Sequence, residues 1–441
     1  MAGIFKAYDI RGVYPETLNE ETARRIGAAA ALVLKARTVV VGRDMRVSSP
    51  AIVEALTEGF TNAGVDVIRI GLSSTPMLYF AVGHWKAGGG VMVTASHNPA
   101  QYNGFKFCRA EAVPVSYDTG LAEIEKRVSS GRMSSSKRKG SVEEQEIGPD
   151  YRAHLLKFAD GIKPLTVAID TGNGVMGAFL PPLLDKLPCE VIRLYFEPDG
   201  TFPHHEANPL KPENMADLVA KVRETKADLG IAFDGDGDRA FFCDETGAIV
   251  PADFVTALLA AEMLAREPGG TIVYDLRSSR IVREEILRLG GVPVESRVGH
   301  SYMKAVMREQ NSLFGGELSG HFYFRDIFTT DNAELAALHI LTQMSRTGKK
   351  LSALVKPFKK YFASGETNFE VADKDRKLAA LKARYANAKR SELDGLTLCY
   401  ADWWCNVRPS NTEPVLRLNL EARTAKLLRE KLKEVSALLR A

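Results

Sequence analysis

With 441 residues, 45% of them apolar and 26% charged, the chain is too long for one compact core and too ordinary in composition for disorder, so three or four units are expected. Lys and Arg number 58 against 55 Asp and Glu, a formal charge of +3, which gives no electrostatic case for a nucleic-acid binder; any affinity for anions must come from local placement of basic groups. The five cysteines, Cys108, Cys189, Cys243, Cys399 and Cys405, are scattered without a Cys-x-x-Cys pair, which speaks against a disulfide framework or a zinc site.

Met1 to Lys6 lack the apolar core of a signal peptide. The most apolar run, Phe254 to Ala265, is broken by Glu262 and is too short to span a bilayer. A cytoplasmic protein without a membrane partner is expected. Three segments then share one pattern. In the first, Val39-Val40-Val41 reads as a strand and Val65 to Ile70 as another, with a helix between them that has Ser49 as N-cap, Pro50 in its first turn and Gly64 as its stop. Val167 to Asp170 and Val191 to Leu194 frame the second, and Ile272 to Asp275 and Val292-Pro293-Val294 frame the third. Strand, crossover helix and strand imply parallel pairing. Each unit is followed by a short strand ending in a polar loop: Thr94 to Asn98, Asp234 to Asp238, and Gly315 to His321. Ligands of open α/β sheets bind beyond the carboxyl ends of strands, so the three loops are expected to face one cleft.

Residues 128–149, rich in Ser, Gly, Lys and Glu, read as a boundary or an exposed excursion. Residues 357–366 break the pattern before a last unit, with a helix near Lys377 to Ala388, a strand near Leu396 to Tyr400 and an amphipathic helix from Thr424.

Asp234, Asp236 and Asp238 alternate with glycines. Three such carboxylates repel one another unless a divalent cation sits among them, and glycine lets the backbone wrap it. Oxygen ligands favour Mg²⁺, Ca²⁺ or Mn²⁺ over zinc. A calcium EF-hand is excluded, because Arg239 stands where that loop needs Gly and the flanks, Gly230 to Phe233 and Ala240 to Phe242, read as strands. An aspartyl-phosphate phosphatase loop fits three evenly spaced aspartates less well than a metal cage does. Three aspartates leave Mg²⁺ with positions that water or phosphate oxygen normally fills. Ser96, at a strand-to-loop transition among small residues, is accessible but lies outside a Gly-x-Ser-x-Gly elbow, so acyl chemistry is not indicated. Taken alone it reads as a turn serine, and His97 as a structural hydrogen bonder. No Gly-x-x-x-x-Gly-Lys-Ser/Thr loop appears, which excludes ATP dependence.

Taken together, these loops resemble those of the α-D-phosphohexomutases. Thr94-Ala95-Ser96-His97-Asn98-Pro99 is similar to their phosphoserine loop, and Asp234-Gly235-Asp236-Gly237-Asp238-Arg239 to their metal loop. Gly315-Gly316-Glu317-Leu318-Ser319-Gly320-His321 is similar to the sugar loop of the bacterial and archaeal phosphomannomutase/phosphoglucomutase branch, and Arg408-Pro409-Ser410-Asn411-Thr412-Glu413-Pro414 to the phosphate loop. Tyr8-Asp9-Ile10-Arg11-Gly12, Asn103-Gly104-Phe105-Lys106 and Gly299-His300-Ser301 with Lys304 also resemble family segments.

The resemblance implies three related mixed-sheet α/β domains and a smaller C-terminal α+β domain, heart-shaped around a central cleft. Expected limits are 1–148 (phosphoserine), 149–249 (metal), 250–358 (sugar) and 362–441 (phosphate). It implies that phospho-Ser96 exchanges its phosphoryl group with a hexose 1-phosphate or 6-phosphate of mannose or glucose. One Mg²⁺ would be held by Ser96, Asp234, Asp236 and Asp238, and a hexose 1,6-bisphosphate would serve as intermediate and activator. Arg11, Lys106 and Arg239 would gather positive charge at the transferred group. Glu317 and Ser319 would bind sugar hydroxyls, with His321 in support. Arg408, Ser410, Asn411 and Thr412 would grip the distal phosphate. His300 and Lys106 are both candidates for the general acid or base. Arg277 stands where relatives carry Lys; it holds its proton too firmly for proton transfer, so phosphate or ring-oxygen contact is expected. The last unit would close over substrate. The expected partner is a phosphosugar, in a monomer or homodimer. Alternatives are a phosphoglucosamine mutase, whose sugar loop usually has Gln in place of Leu318, and a non-catalytic protein that binds phosphosugar or a divalent cation.

Overall fold

The computed structural model describes residues 3–131, 136–410 and 415–440. The three repeats form as read, and each pairs its strands in parallel. Thr38–Arg43 lies between Asp66–Leu72 and Gly89–Val93. Thr166–Asp170 lies between Glu190–Leu194 and Leu229–Phe233. Thr271–Asp275 lies between Val292–Ser296 and Phe314–Gly316. In every unit the last of these strands turns back into an antiparallel neighbour: Tyr102–Arg109, Ala240–Asp244 or Phe322–Phe324. The three polar loops are therefore the same turn of three mixed sheets. The last unit is a five-stranded antiparallel sheet, from Phe362–Glu370 at one edge to Lys389–Ser391 at the other, covered by helices Lys374–Arg384 and Ala425–Arg440.

The first three units share packing. One apolar cluster runs from Leu78 and Phe80 of the first through Leu180 and Phe233 of the second to Phe324 and Leu335 of the third. Helix Thr75–His84 lies inside this junction; Ser74 caps it by accepting from the Met77 amide, and residues Thr75 through Val82 are buried on all sides. The last unit keeps a separate core of Leu381, Leu398, Val407, Leu418 and Val435. Apolar burial thus fixes the first three units against one another, while few apolar contacts restrain the fourth.

Several local expectations change. Ser49 is the first residue of helix Ser49–Asn62 rather than its cap, because its hydroxyl is committed to Asp44 Oδ1 at 2.6 Å. Residues 128–149 are more than an excursion: Val142–Glu144 adds a parallel strand beside Asp66–Leu72. All three residues of that strand are exposed, so no apolar alternation announces it. The helix expected near Lys377 begins at Lys374, since Asp373 accepts from the Arg376 amide at 2.9 Å. Helix Ala252–Arg266, the most apolar run, is a core helix, and among the described residues no helix is long and apolar enough to cross a membrane.

Candidate active site

Ser96 is buried at the tip of its loop, with φ at +51°, a left-handed conformation that a non-glycine residue keeps only where its surroundings enforce it. Arg46 does the enforcing. Fully buried and paired with Asp44, its guanidinium donates to the carbonyls of Ser96 (2.8 Å), Asn98 (2.5 Å), Pro99 (2.7 Å) and Tyr102 (2.9 Å). The Ser96 hydroxyl is thereby aimed out of the first unit into the second, where it donates to Asp234 Oδ2 at 2.9 Å. His97 Nδ1 lies 3.1 Å from the same hydroxyl.

Asp234, Asp236 and Asp238 are all buried, and each offers an oxygen within 4.8 Å of the others. The backbone amides of Asp238 and Arg239 donate to Asp234 Oδ1 at 3.1 and 3.2 Å. Two cross-domain donors reach Asp236 Oδ2: the Thr75 hydroxyl at 2.6 Å and the Lys106 ammonium at 2.7 Å, which also bonds Asp238 Oδ2. Asp236 Oδ1 and Asp238 Oδ1 have no hydrogen-bond partner among the described residues, although His321 Nε2 stands 3.4 Å from the latter. Buried acceptors without donors are costly, and two of them beside a third carboxylate suit a hard divalent cation. The charges are unevenly held. Burial, then the nearby Asp238 and Asp236, pushes the Asp234 carboxyl well above the usual range. Burial acts the same way on Asp238, but Lys106 and His321 outweigh it and hold that carboxyl well below the range.

The loop of the third unit is stitched to the acidic loop. The Ala240 amide donates to the Gly320 carbonyl at 3.1 Å, and Arg239 Nε donates to His321 Nε2 at 3.3 Å. Gly320 has φ +85°, and a side chain there would meet the Phe241 ring at 2.6 Å, so the close approach needs glycine. His321 also lies 2.9 Å from Ser319 Oγ and 3.4 Å from Asp238 Oδ1. Glu317 accepts from the Gly299 amide at 2.9 Å and from the Tyr323 hydroxyl. Both ring nitrogens of His300 are buried without a hydrogen-bond partner among the described residues. Burial, then the Lys304 charge, pushes that imidazole well below its usual range, so it is neutral.

The remaining expected residues flank this centre. Arg11 donates to Asp9 Oδ2 at 2.8 Å and to Asn98 Oδ1, which places it beside the Ser96 loop. Arg277 is clamped on Asp275 through two bonds, at 3.1 and 2.8 Å. The same aspartate accepts from the Leu318 amide at 2.7 Å, so Arg277 shares its anchor with the sugar loop. Arg408 is buried on strand Trp403–Pro409 and donates to Glu366 Oε2 at 2.8 Å. The Ser410 amide donates to the Val415 carbonyl at 2.9 Å. Asn411 and Thr412 lie outside the described residues.

Four family models cover nearly all of this chain. They are the phosphoglucomutase/phosphomannomutase alpha/beta/alpha domains I, II and III, over residues 2–134, 149–247 and 251–361, and the C-terminal domain, over residues 366–438. The chain belongs to the phosphoglucomutase/phosphomannomutase family. A protein named "Phosphohexose mutases" in Xanthomonas campestris pv. campestris is 43% identical over 443 residues, 99% of either chain. The phosphomannomutase of Salmonella montevideo is 40% identical over 448 residues, covering 99% of this chain and 98% of that one. Among solved structures, a phosphoglucomutase/phosphomannomutase family protein of Burkholderia thailandensis superposes with a TM-score of 0.92 at 34% identity, covering 99% of this chain and 97% of that one.

Membership of the phosphoglucomutase/phosphomannomutase family makes the chain a phosphohexomutase, an isomerase. Three supports of its site were not legible as such in the sequence. Arg46 looks like a surface residue next to Arg43 and Asp44. Thr75 looks like one more helix-start residue, and only the docking of two units turns it toward Asp236. Tyr8 packs edge-on to His300 and donates to the Val298 carbonyl at 2.8 Å. Gly299, at φ +129°, lies so close that a side chain there would meet the Tyr8 ring at 2.5 Å, which joins the first unit to the third. Lys304 is fully buried, 3.0 Å from Asp331 Oδ2 and 4.0 Å from the centre of the Tyr79 ring.

Proposed function

We propose that the protein interconverts hexose 1-phosphate and hexose 6-phosphate, of mannose and of glucose, through phospho-Ser96 and a hexose 1,6-bisphosphate. The observation that carries this is the Ser96 hydroxyl, held across a domain boundary against three buried aspartates, two of which, Asp236 and Asp238, keep an oxygen without a hydrogen-bond partner among the described residues. Asp234, Asp236 and Asp238, with an oxygen on Ser96, would hold one Mg²⁺. When bound, that ion neutralises charge on the transferring phosphoryl group.

In this reading the Ser96 oxygen gives its phosphoryl group to a sugar hydroxyl, the P–O bond to serine breaking as the P–O bond to sugar forms. Neutral His300 takes the sugar's proton and returns it in the reverse half. Lys106 is the poorer proton carrier. Burial alone would lower its affinity for a proton, but Asp236 and Asp238 hold the ammonium above its ordinary value. Lys106, Arg11 and Arg239 steady the anionic group. Glu317 and Ser319 hold adjacent hydroxyls in either of two flipped orientations, with His321 fixing their loop. Arg408 and the 410–412 segment grip the phosphate that is not reacting, and Arg277 lies at the third-unit side of that grip. The separate core of the last unit supports its role as a lid that excludes water, which would otherwise hydrolyse phospho-Ser96. The domain limits in this reading are after 148, after 249 and within 358–362; strand Ile249–Val250, which pairs with Ala240–Asp244 in the second sheet, straddles the second of them.

The test combines mass spectrometry with turnover. A tryptic peptide containing Ser96 is expected to carry one phosphate after incubation with glucose 1,6-bisphosphate and Mg²⁺. Mannose 1-phosphate and glucose 1-phosphate should both be converted, and Ser96→Ala should abolish conversion. Full turnover by Ser96→Ala would overturn the proposal.

A further inference from the structure

We infer that Glu366 is an internal counter-anion, which occupies the phosphate-gripping edge of Arg408 between turnovers and yields it to the incoming phosphate. The inference rests on the phosphate role proposed above for Arg408.

Glu366 lies on strand Phe362–Glu370, where the pairing with Val415–Ala422 shifts register between Ala363 and Glu366. Such a bulge re-aims side chains. The carboxylate meets arginines from two domains. Arg408 Nη2 is 2.8 Å from Oε2, Arg417 Nη1 is 3.2 Å from Oε1, and Arg277 Nη1, from the third unit, is 3.8 Å from Oε2.

The two partners of the closest pair differ in freedom. The Arg408 side chain is only 3% exposed, whereas that of Glu366 is 28% exposed. The guanidinium is locked in the sheet and the carboxylate sits at the solvent side, free to turn away. Arg408 also has an unused donor: its Nε is buried without a hydrogen-bond partner among the described residues. Nε and Nη2 form one edge of the planar guanidinium, the edge that takes two oxygens of one phosphate. Glu366 fills half of that edge.

A buried guanidinium without an anion is costly, so a resident carboxylate keeps the grip formed while substrate is absent. The same carboxylate makes entry competitive. Any anion reaching Arg408 must displace Glu366, which also loosens its contact with Arg277 and thereby frees the last unit to reposition over the cleft.

The test measures binding of inorganic phosphate to the dephosphorylated full-length protein by calorimetry, without Mg²⁺ and at fixed ionic strength. Glu366→Gln keeps the shape and an acceptor but removes the competing charge, so phosphate is expected to bind about tenfold more tightly. Arg408→Lys should bind it more weakly than the parent protein. Unchanged or weaker binding by Glu366→Gln, together with weakened binding by Arg408→Lys, would overturn the counter-anion role alone. Unchanged binding by Arg408→Lys would overturn the phosphate role of Arg408 itself, and the inference with it. Thermal midpoints of both variants establish that the fold is retained.

Discussion

The Lys106 ammonium of the first unit lies 2.7 Å from Asp236 Oδ2 of the second, inside the group of carboxylates proposed to hold a divalent cation. Protein and metal therefore share one task, the neutralisation of buried negative charge. Lys106→Met leaves the acidic loop without its internal cation and is expected to cost about 3–5 kcal/mol in chelator. Added MgCl₂ should raise the melting temperature of the variant by more than it raises that of the parent protein. Equal shifts in differential scanning calorimetry would mean that Lys106 does not carry this burden.

Arg46 satisfies four backbone carbonyls of the Ser96 loop and one buried carboxylate. Arg46→Met strands all of them and is expected to lower unfolding free energy by about 3–5 kcal/mol. Arg46→Lys should recover little, because an ammonium has three donors and no planar fork. Urea unfolding of the three proteins measures this; a lysine variant as stable as the parent would defeat the account.

His300 is held neutral by burial and by the charge of Lys304. The profile of kcat against pH is therefore expected to lack an ionisation at the ordinary histidine value near 6.5. His300→Gln should lower kcat by about 10²–10⁴, the range for a lost general acid or base, while leaving KM within a few-fold. A kcat close to that of the parent would remove His300 from proton transfer.

Glu334 is 2% exposed, and burial pushes its carboxyl up to about 7 from an ordinary 4.5. A carboxyl whose folded value is raised contributes stability that is complete below 4.5 and is lost as pH climbs through about 7. At about 1.4 kcal/mol per pH unit, the loss over that window is about 3.5 kcal/mol. Glu334→Gln should flatten the fall in unfolding free energy between pH 4.5 and 7 and be the more stable protein at pH 8. Parallel curves for the two proteins would contradict the shift.

Much of this was readable from residue order. The three strand–helix–strand units were legible because their strands are short apolar runs bounded by turn residues, and the acidic loop because glycine–aspartate alternation has few other uses. Val142–Glu144 was illegible: an edge strand held by backbone bonds and by the Arg69–Glu144 ion pair has no need of an apolar face. At the start of helix Ser49–Asn62 a serine before proline signals a cap, but Asp44, five residues earlier, claims the Ser49 hydroxyl. The supporting roles of Thr75, Arg46 and Tyr8, the last of these inside a segment that resembles the family's, are hidden in the sequence for a common reason. Each acts through partners distant in sequence or through backbone atoms, and neither leaves a local pattern.

The three loops hang from three sheets, and the Ser96–Asp234 contact joins residues 138 positions apart. No single unit carries a working fragment of the centre. On a translating ribosome the emerging chain stays inert until His321 has cleared the exit tunnel and the third sheet has docked. By the same reasoning, one protease cut between units followed by separation would silence the chemistry with every reacting atom intact.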